Sequence, residues 1–254
     1  TMEVVTSRMR YISGQLENKI RMVGLCTSLA NAKDLGEWIG AGQNSLFNFP
    51  PGVRPVPLDI HIQGVDIVNF EARMQAMARP TYGAICQHAP DGEPAIVFVP
   101  TRKHAKLASL DLLTFCAADG SPHKFLKCEP ADIAPHCERV SDPAVKHALQ
   151  FGVALMHESM DVEERALVER VFSSGAASVL VVTAPLAWGL SASCKLSVIA
   201  GTQYYDAGGA GSADYPVTDL LAMCGRASRP LIDEHGVAVL LCHAPRKEYY
   251  KKFL

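Results

Sequence analysis

The sequence of 254 residues has few aromatic residues, almost no net charge and no long apolar run. Aromatic residues make up 7% of it, and its 24 basic and 26 acidic side chains leave a net charge of −2, so bulk attraction to nucleic acid is not expected. No apolar run approaches the about 20 residues that cross a hydrocarbon layer, and no membrane association is predicted. The 48% of hydrophobic residues is enough to form a packed core.

Common site motifs are also missing. No Gly-Lys dipeptide occurs, which excludes a phosphate-binding G-x-x-x-x-G-K-[ST] loop, and no G-x-S-x-G nucleophile elbow is found. His157 lacks the second histidine that a metalloprotease helix needs, so no metal ligands are predicted. The eight cysteines are scattered without a C-x-x-C pair, which is typical of reduced thiols inside the cell.

Short β-branched runs alternate with longer amphipathic stretches, and this alternation predicts an α/β domain with a parallel sheet covered by helices. The predicted strands are residues 56–63, 95–99, 151–155, 179–182, 196–200 and 237–242. The predicted helices are residues 71–87, 102–119, 162–173, 217–224 and 245–253.

The first part of the chain has a different pattern. It predicts a helix at 9–19, a strand at 21–25 and a helix at 31–39, followed by a glycine-containing break. Because forty-odd residues are too few for an independent core, residues 1–45 are interpreted as an appendage or as the end of a preceding domain. Residues 46–57, with four prolines between 50 and 57, form a predicted linker to a main domain at 58–254.

Two segments indicate phosphate chemistry. Residues 183–190 follow a predicted strand directly, so the hydroxyl of Thr183 and the loop amides could bind a phosphate, with Gly189 allowing close approach. A structural connector around a half-buried Trp188 is an equally good interpretation. Arg226 and Arg229 lie three residues apart at a predicted helix end, where their guanidinium groups suit a phosphate or, alternatively, the carbonyl groups of the helix end. We expect both to face outward beside the Thr183 loop.

The order of these segments resembles the second RecA-like domain of superfamily 2, DExH-box RNA helicases of the superkiller-type group, over essentially the whole chain. It is most similar to the C-terminal cassette of the two-cassette spliceosomal (bad-response-to-refrigeration) helicases. The activating-signal-cointegrator helicases share the architecture and remain an alternative. The matching motifs are Cys26-Thr-Ser28, Arg54-Pro-Val-Pro-Leu58, Phe98-Val-Pro-Thr-Arg102, Met156-His-Glu158 and the segments 183–190 and 225–230.

The resemblance implies a RecA-like parallel sheet with helices on both faces. It also implies ATP and Mg²⁺ in the complete cassette, held by a first RecA-like domain whose P-loop and acidic box this sequence does not contain, and none bound to this chain alone. Arg226 and Arg229 would then be arginine fingers, with Gly225 and Gly189 beside the nucleotide. Thr27 and Ser28 would couple the domains. The implied RNA contacts are Thr101, Arg102, Thr183 and, in a strand-separating hairpin at 202–217, Tyr204 and Tyr205.

The partners implied are small nuclear RNA duplexes, an N-terminal helicase cassette and spliceosomal proteins, all in the nucleus. The sequence departs from the family pattern at two positions of the arginine segment. Ala222 stands where active members have a glutamine, and Ser228 replaces a glycine. These departures favour a pseudo-helicase cassette that serves as a regulatory and protein-interaction platform, with an active RNA-unwinding cassette as the alternative.

Overall fold

The structure, a computed structural model, describes residues 1–17, 19–26, 29, 31–206 and 211–254, which fall into two compact units, 1–54 and 55–254. The first unit contains α1 (Met2–Gln15) and α2 (Ala32–Ile39). The guanidinium group of Arg10 on α1 donates to the backbone carbonyls of Glu37 and Trp38, which ties the two helices together. The predicted strand at 21–25 is wrong, because these described residues pair with no other strand.

The second unit is built on a parallel sheet of six strands, as the sequence predicted. The order across it is β1-β8-β5-β2-β4-β3. The four inner strands are fully buried or nearly so, because residues such as Val97, Val181 and Val198 are covered on both sides of the sheet. The strands are β1 (Leu58–Val65), β2 (Ala95–Val99), β3 (Val153–Met156), β4 (Val179–Thr183), β5 (Leu196–Ala200) and β8 (Gly236–His243).

The helices of this unit are α3 (Phe70–Ala76), α4 (Ala78–His88), α5 (Arg102–Ala118), α6 (Pro130–Glu138), α7 (Pro143–Gln150), α8 (Val162–Ser173), α9 (Val217–Cys224) and α10 (Lys247–Phe253). The chain moves across the sheet in one direction up to β3 and in the opposite direction afterwards. Because parallel crossovers are right-handed, this reversal places α4, α5 and α7 on one face and α8 and α9 on the other. Helices therefore cover both faces, and the loops after β2 and β4 diverge at a topological switch point, where α/β proteins bind ligands.

One predicted helix, at 71–87, is two helices in the structure. Pro80 has no backbone N–H, so it cannot bond to the carbonyl of Ala76, and its ring would clash there. The chain therefore ends α3 at Ala76 and begins α4 at Ala78. The helices at 162–173 and 217–224 are confirmed with their predicted ends.

An antiparallel hairpin follows β5, formed by β6 (Gln203–Asp206) and β7 (Gly211–Asp214), with Tyr205 opposite Ser212. This confirms the hairpin predicted at 202–217, while residues 207–210 of its tip lie outside the described part of the chain. Among the residues that the structure describes, no helix is long and apolar enough to span a bilayer.

Candidate RNA and nucleotide interface

A groove of about 640 Å³ lies at the carboxyl ends of β2 and β3, next to the switch point. The sheet register brings its parts together, since Val99 of β2 pairs with Thr183 of β4, and Val182 pairs with Met156 of β3. The groove is lined by Thr101, Arg102, Lys103, Lys106, Leu107, Glu158 and Ser159. It therefore unites two of the segments that the sequence singled out, 98–102 and 156–158.

Thr101 begins α5 at one side of this groove. Its hydroxyl oxygen accepts the backbone N–H of His104 at 3.3 Å and lies 2.8 Å from the ring Nδ1 of the same residue. This N-cap orders the first turn of a helix of 17 residues, whose amide groups and dipole favour an anion.

The basic side chains of the groove differ in their availability. Lys103 is paired with Glu71 at 2.8 Å, and Lys106 is paired with Asp142 at 2.6 Å. Arg102 is exposed, and among the described residues no carboxylate lies within ion-pair distance of it. Arg102 is therefore the groove cation most available to a phosphate.

Thr183 is placed differently from what its predicted role requires. Its side chain is fully buried, and its hydroxyl donates to a carboxylate oxygen of Glu158 at 2.7 Å. Glu158 itself is exposed in the groove. In this arrangement Thr183 positions Glu158, and a phosphate would reach the Thr183 hydroxyl only after Glu158 moved.

Behind the groove lies a buried histidine next to a carboxylate. His157 is 3% exposed, and its Nε2 lies 3.7 Å from Asp142. Burial lowers the pKa of His157, although Asp142 opposes this shift. Burial acts to raise the pKa of Asp142, but the hydrogen bonds from Lys106 and from the Ala144 amide prevail, so this pKa is lowered. At neutral pH the pair is thus a neutral imidazole beside a carboxylate held by Lys106.

The two arginines have different hydrogen-bond partners. Helix α9 ends at Cys224, and Arg226 lies beyond it, where its guanidinium group donates to the carbonyl of Leu190 at the end of the Thr183 loop. Its Nε is buried without a hydrogen-bond partner. The expected proximity of Arg226 to that loop is confirmed, at its far end.

Arg229 is turned into the protein instead of outward. Its Nε and Nη2 donate to the two carboxylate oxygens of Asp233, both at 2.6 Å, and Glu93 lies 3.9 Å away. The side chains of Arg229 and Asp233 are 15% and 5% exposed. The prediction of an outward-facing side chain is wrong here because a carboxylate four residues on occupies the guanidinium fork.

The residues near these arginines differ in how closely they are packed. A Cβ on Gly225 would lie 3.0 Å from the carbonyl oxygen of Leu221, so a larger residue would disturb the end of α9. A Cβ on Gly189 would meet only the Leu186 carbonyl, at 4.0 Å, so the fold itself does not require glycine there. Ala222 is 8% exposed and offers only a methyl group where the resemblance expects an amide. Ser228 is half-buried.

The hairpin tyrosines have distinct surroundings. Tyr204 stacks on Tyr215 with ring centroids 5.3 Å apart, which makes it part of the hairpin base. Tyr205 is 75% exposed and leaves a ring face open to a nucleic-acid base. The predicted coupling residues Thr27 and Ser28 lie outside the described residues.

Sequence reasoning missed the acidic partners of the site. Asp233 follows Arg229 at the i,i+4 spacing typical of ion pairs, which was the one sequence signal for this contact. Asp142 stands directly before Pro143, a common helix start, yet α7 was not predicted. No group of three or more potential metal ligands occurs among the described residues.

Comparison with known proteins gives long alignments. No protein-family model matches the chain. It is 55% identical to the DExH-box ATP-dependent RNA helicase DExH12 of Arabidopsis thaliana over 255 residues and 47% identical to the human U5 small nuclear ribonucleoprotein 200 kDa helicase over 253. It is 41% identical to the activating signal cointegrator 1 complex subunit 3 of Dictyostelium discoideum. The alignments cover 100% of this chain but only 11–12% of these relatives.

Proposed function

Because the chain is homologous along its whole length to a segment of the DExH-box RNA helicases, we propose that it is the second RecA-like module of a spliceosomal ATP-dependent RNA helicase acting in the nucleus. Residues 58–254 would form this module, with 46–57 as its linker and 1–45 as the end of the first RecA-like domain. Its RNA ligands would be small nuclear RNA duplexes. Its protein partners would be an N-terminal helicase cassette and spliceosomal proteins.

The RNA backbone would run along the groove at the carboxyl ends of β2 and β3. Arg102 would neutralise one phosphate, and the first turn of α5 behind Thr101 would bind the next through its amides. Tyr205 would stack on a base at the hairpin. Glu158 places a negative charge in the same groove, so RNA would have to displace it or pass beside it.

We further propose that the cassette is a pseudo-helicase, a regulatory and protein-interaction platform. The observation that carries this proposal is Ala222, a buried methyl group that can form no hydrogen bond to a nucleotide or within an interdomain network. In the complete cassette ATP and Mg²⁺ would be held by the first domain. The Nε of Arg226 is buried without a hydrogen-bond partner and could donate to an anion. The guanidinium group of Arg229 could not bind the anion while it is bonded to Asp233. Loss of one hydrogen-bond donor that stabilises a transition state typically lowers the rate about 10²- to 10³-fold, and Ala222 has no such donor.

A second candidate is an active unwinding cassette, which is favoured by the retention of both arginines in a segment next to the Thr183 loop. In that case Arg229 would leave Asp233 when the two RecA-like domains close on ATP. The exchange would be reversible, since both partners are anionic oxygens that accept from the same guanidinium fork.

Pull-down of spliceosomal partners by the complete cassette tests the platform role. The proposal predicts equal recovery with ATP, without nucleotide and with a non-hydrolysable analogue. It also predicts equal recovery for Ala222→Gln/Ser228→Gly, which restores the family residues. Recovery that requires ATP turnover would contradict the platform role and favour the active cassette.

A further inference from the structure

A second cavity, of about 400 Å³, lies between α3–α4 and α5 and shares the lining residue Leu107 with the groove. Its floor is the sheet, at Val97 and Val99 of β2 and Ala200 of β5. Its walls include Met74, Met77 and Leu112. Mainly apolar cavities of this size with a few polar groups are typical of small-molecule sites.

One polar group at this cavity is an imidazole nitrogen without a hydrogen-bond partner. His104 lines the cavity, its side chain is 7% exposed, and its Nε2 makes no hydrogen bond. The Thr101 hydroxyl lies 2.8 Å from Nδ1 and can donate to this nitrogen or accept from it, since its oxygen has a second lone pair beside the one that accepts the His104 amide. Nε2 is therefore a donor in one tautomer and an acceptor in the other, and in both it lacks a hydrogen-bond partner. The nearest carboxylate oxygen, of Glu71, lies 3.5 Å away.

The cavity is also lined by Gln75, by Thr81, whose hydroxyl donates to the Met77 carbonyl, and by two carboxylates. Glu71 is neutralised by Lys103 at 2.8 Å. Asp111 lines the cavity, is half-buried, and among the described residues has no cation within ion-pair distance. Its pKa is raised by burial, as expected for a carboxyl group that faces apolar walls without a counter-ion. The cavity thus carries one uncompensated negative charge.

From these three features we propose that the cavity binds a compact aromatic amine that carries a hydroxyl group, such as a phenolic amine. The ring packs between Met77 and Leu112, the protonated amine pairs with Asp111, and the hydroxyl group, which can donate or accept, bonds to Nε2 of His104. The ligand would thus fill the apolar space, pair with the uncompensated carboxylate and supply the missing hydrogen-bond partner of the imidazole. An anionic or purely apolar ligand would leave the charge of Asp111 desolvated and unpaired.

Tyramine is a suitable probe, with 4-ethylphenol as the ligand that lacks the amine and 3-(4-hydroxyphenyl)propionate as its anionic counterpart. Each is titrated into the full chain with carbon-13 methyl-labelled methionines. We expect saturable shifts of the Met74 and Met77 methyl signals with tyramine, at least about tenfold weaker binding of 4-ethylphenol and no binding of the acid. Met160, buried elsewhere in the core, should not shift.

Asp111→Asn should weaken tyramine binding at least about tenfold, because it removes a charge-assisted contact. Ala108→Leu should weaken all ligands by filling the cavity. Asp132→Asn, which changes an exposed carboxylate on α6, is the matched control and should have no effect. Equal affinity for tyramine and 4-ethylphenol, shifts spread over all methionines, or an Asp111→Asn protein that binds like the parent would each overturn the proposal.

Discussion

Removal of the Arg229 side chain should destabilise the second unit strongly, even without nucleotide. The guanidinium fork makes two 2.6 Å hydrogen bonds to Asp233, and the two side chains are 15% and 5% exposed. Removing one partner of a buried ion pair costs about 3–5 kcal/mol because the other charge stays buried and unpaired. Since Arg229 keeps some solvent contact, we expect about 3 kcal/mol for Arg229→Ala.

Urea unfolding followed by circular dichroism measures this loss of unfolding free energy. For a unit of this size, about 3 kcal/mol corresponds to a decrease of about 6–12 °C in Tm. The double variant Arg229→Ala/Asp233→Ala should be more stable than the sum of the two single changes predicts, with a coupling of at least about 1.5 kcal/mol.

Arg246→Ala is the matched control, because Arg246 also forms an ion pair, with Asp214 at 2.8 Å, but its side chain is 52% exposed. Such surface pairs contribute about 1 kcal/mol or less. If Arg229→Ala changed the unfolding free energy by no more than Arg246→Ala, the side chain would face solvent and the reasoning about Asp233 would be refuted.

Three further predictions concern the loops and charges around the sheet. Gly152→Ala should lower the unfolding free energy by several kcal/mol, because a Cβ there would lie 2.1 Å from the Phe125 carbonyl. Gly175 has a similar φ but open space around it, so Gly175→Ala should cost only about 1 kcal/mol. Equal losses in the two variants would contradict this prediction. Arg102→Ala should weaken RNA binding in filter assays and reduce the salt slope by about 1, whereas the exposed Arg139→Ala should change neither. Burial lowers the pKa of His157 below its usual 6.5, so the unfolded state binds more protons. Unfolding free energy should therefore fall as pH drops from about 7.5 to 5.5, and less steeply in His157→Phe; an unchanged slope would count against it.

Much of the fold could be predicted because local signals and burial agree. The inner strands are continuous apolar runs such as residues 95–99, and Pro216 and Gly225 bracket α9. The strand prediction that failed concerns residues whose structure depends on parts of the chain distant in sequence. Residues 21–25 have strand-like composition, but a strand needs a neighbour and none is present among the described residues. The division of 71–87 at Pro80 was readable from the sequence, since an interior proline interrupts a helix.

The candidate site was predictable only in part. Parallel strands end together, so the predicted strands already place the segments that follow β2 and β3, with Thr101, Arg102 and Glu158, at one edge of the sheet. Side-chain pairing was not readable, since it depends on distances of an ångström or two. Thr183 bonded to Glu158 and Arg229 bonded to Asp233 are such pairings, and each makes a predicted site residue less available to a ligand.

The most direct test of the pseudo-helicase proposal is the rate of ATP turnover by the complete cassette, measured with and without a small nuclear RNA duplex. The account predicts no stimulation by RNA, because Ala222 has no polar group with which to complete the site. RNA-stimulated turnover in the unaltered cassette, lost in a folded variant with Arg226→Ala, would contradict it and establish an active helicase.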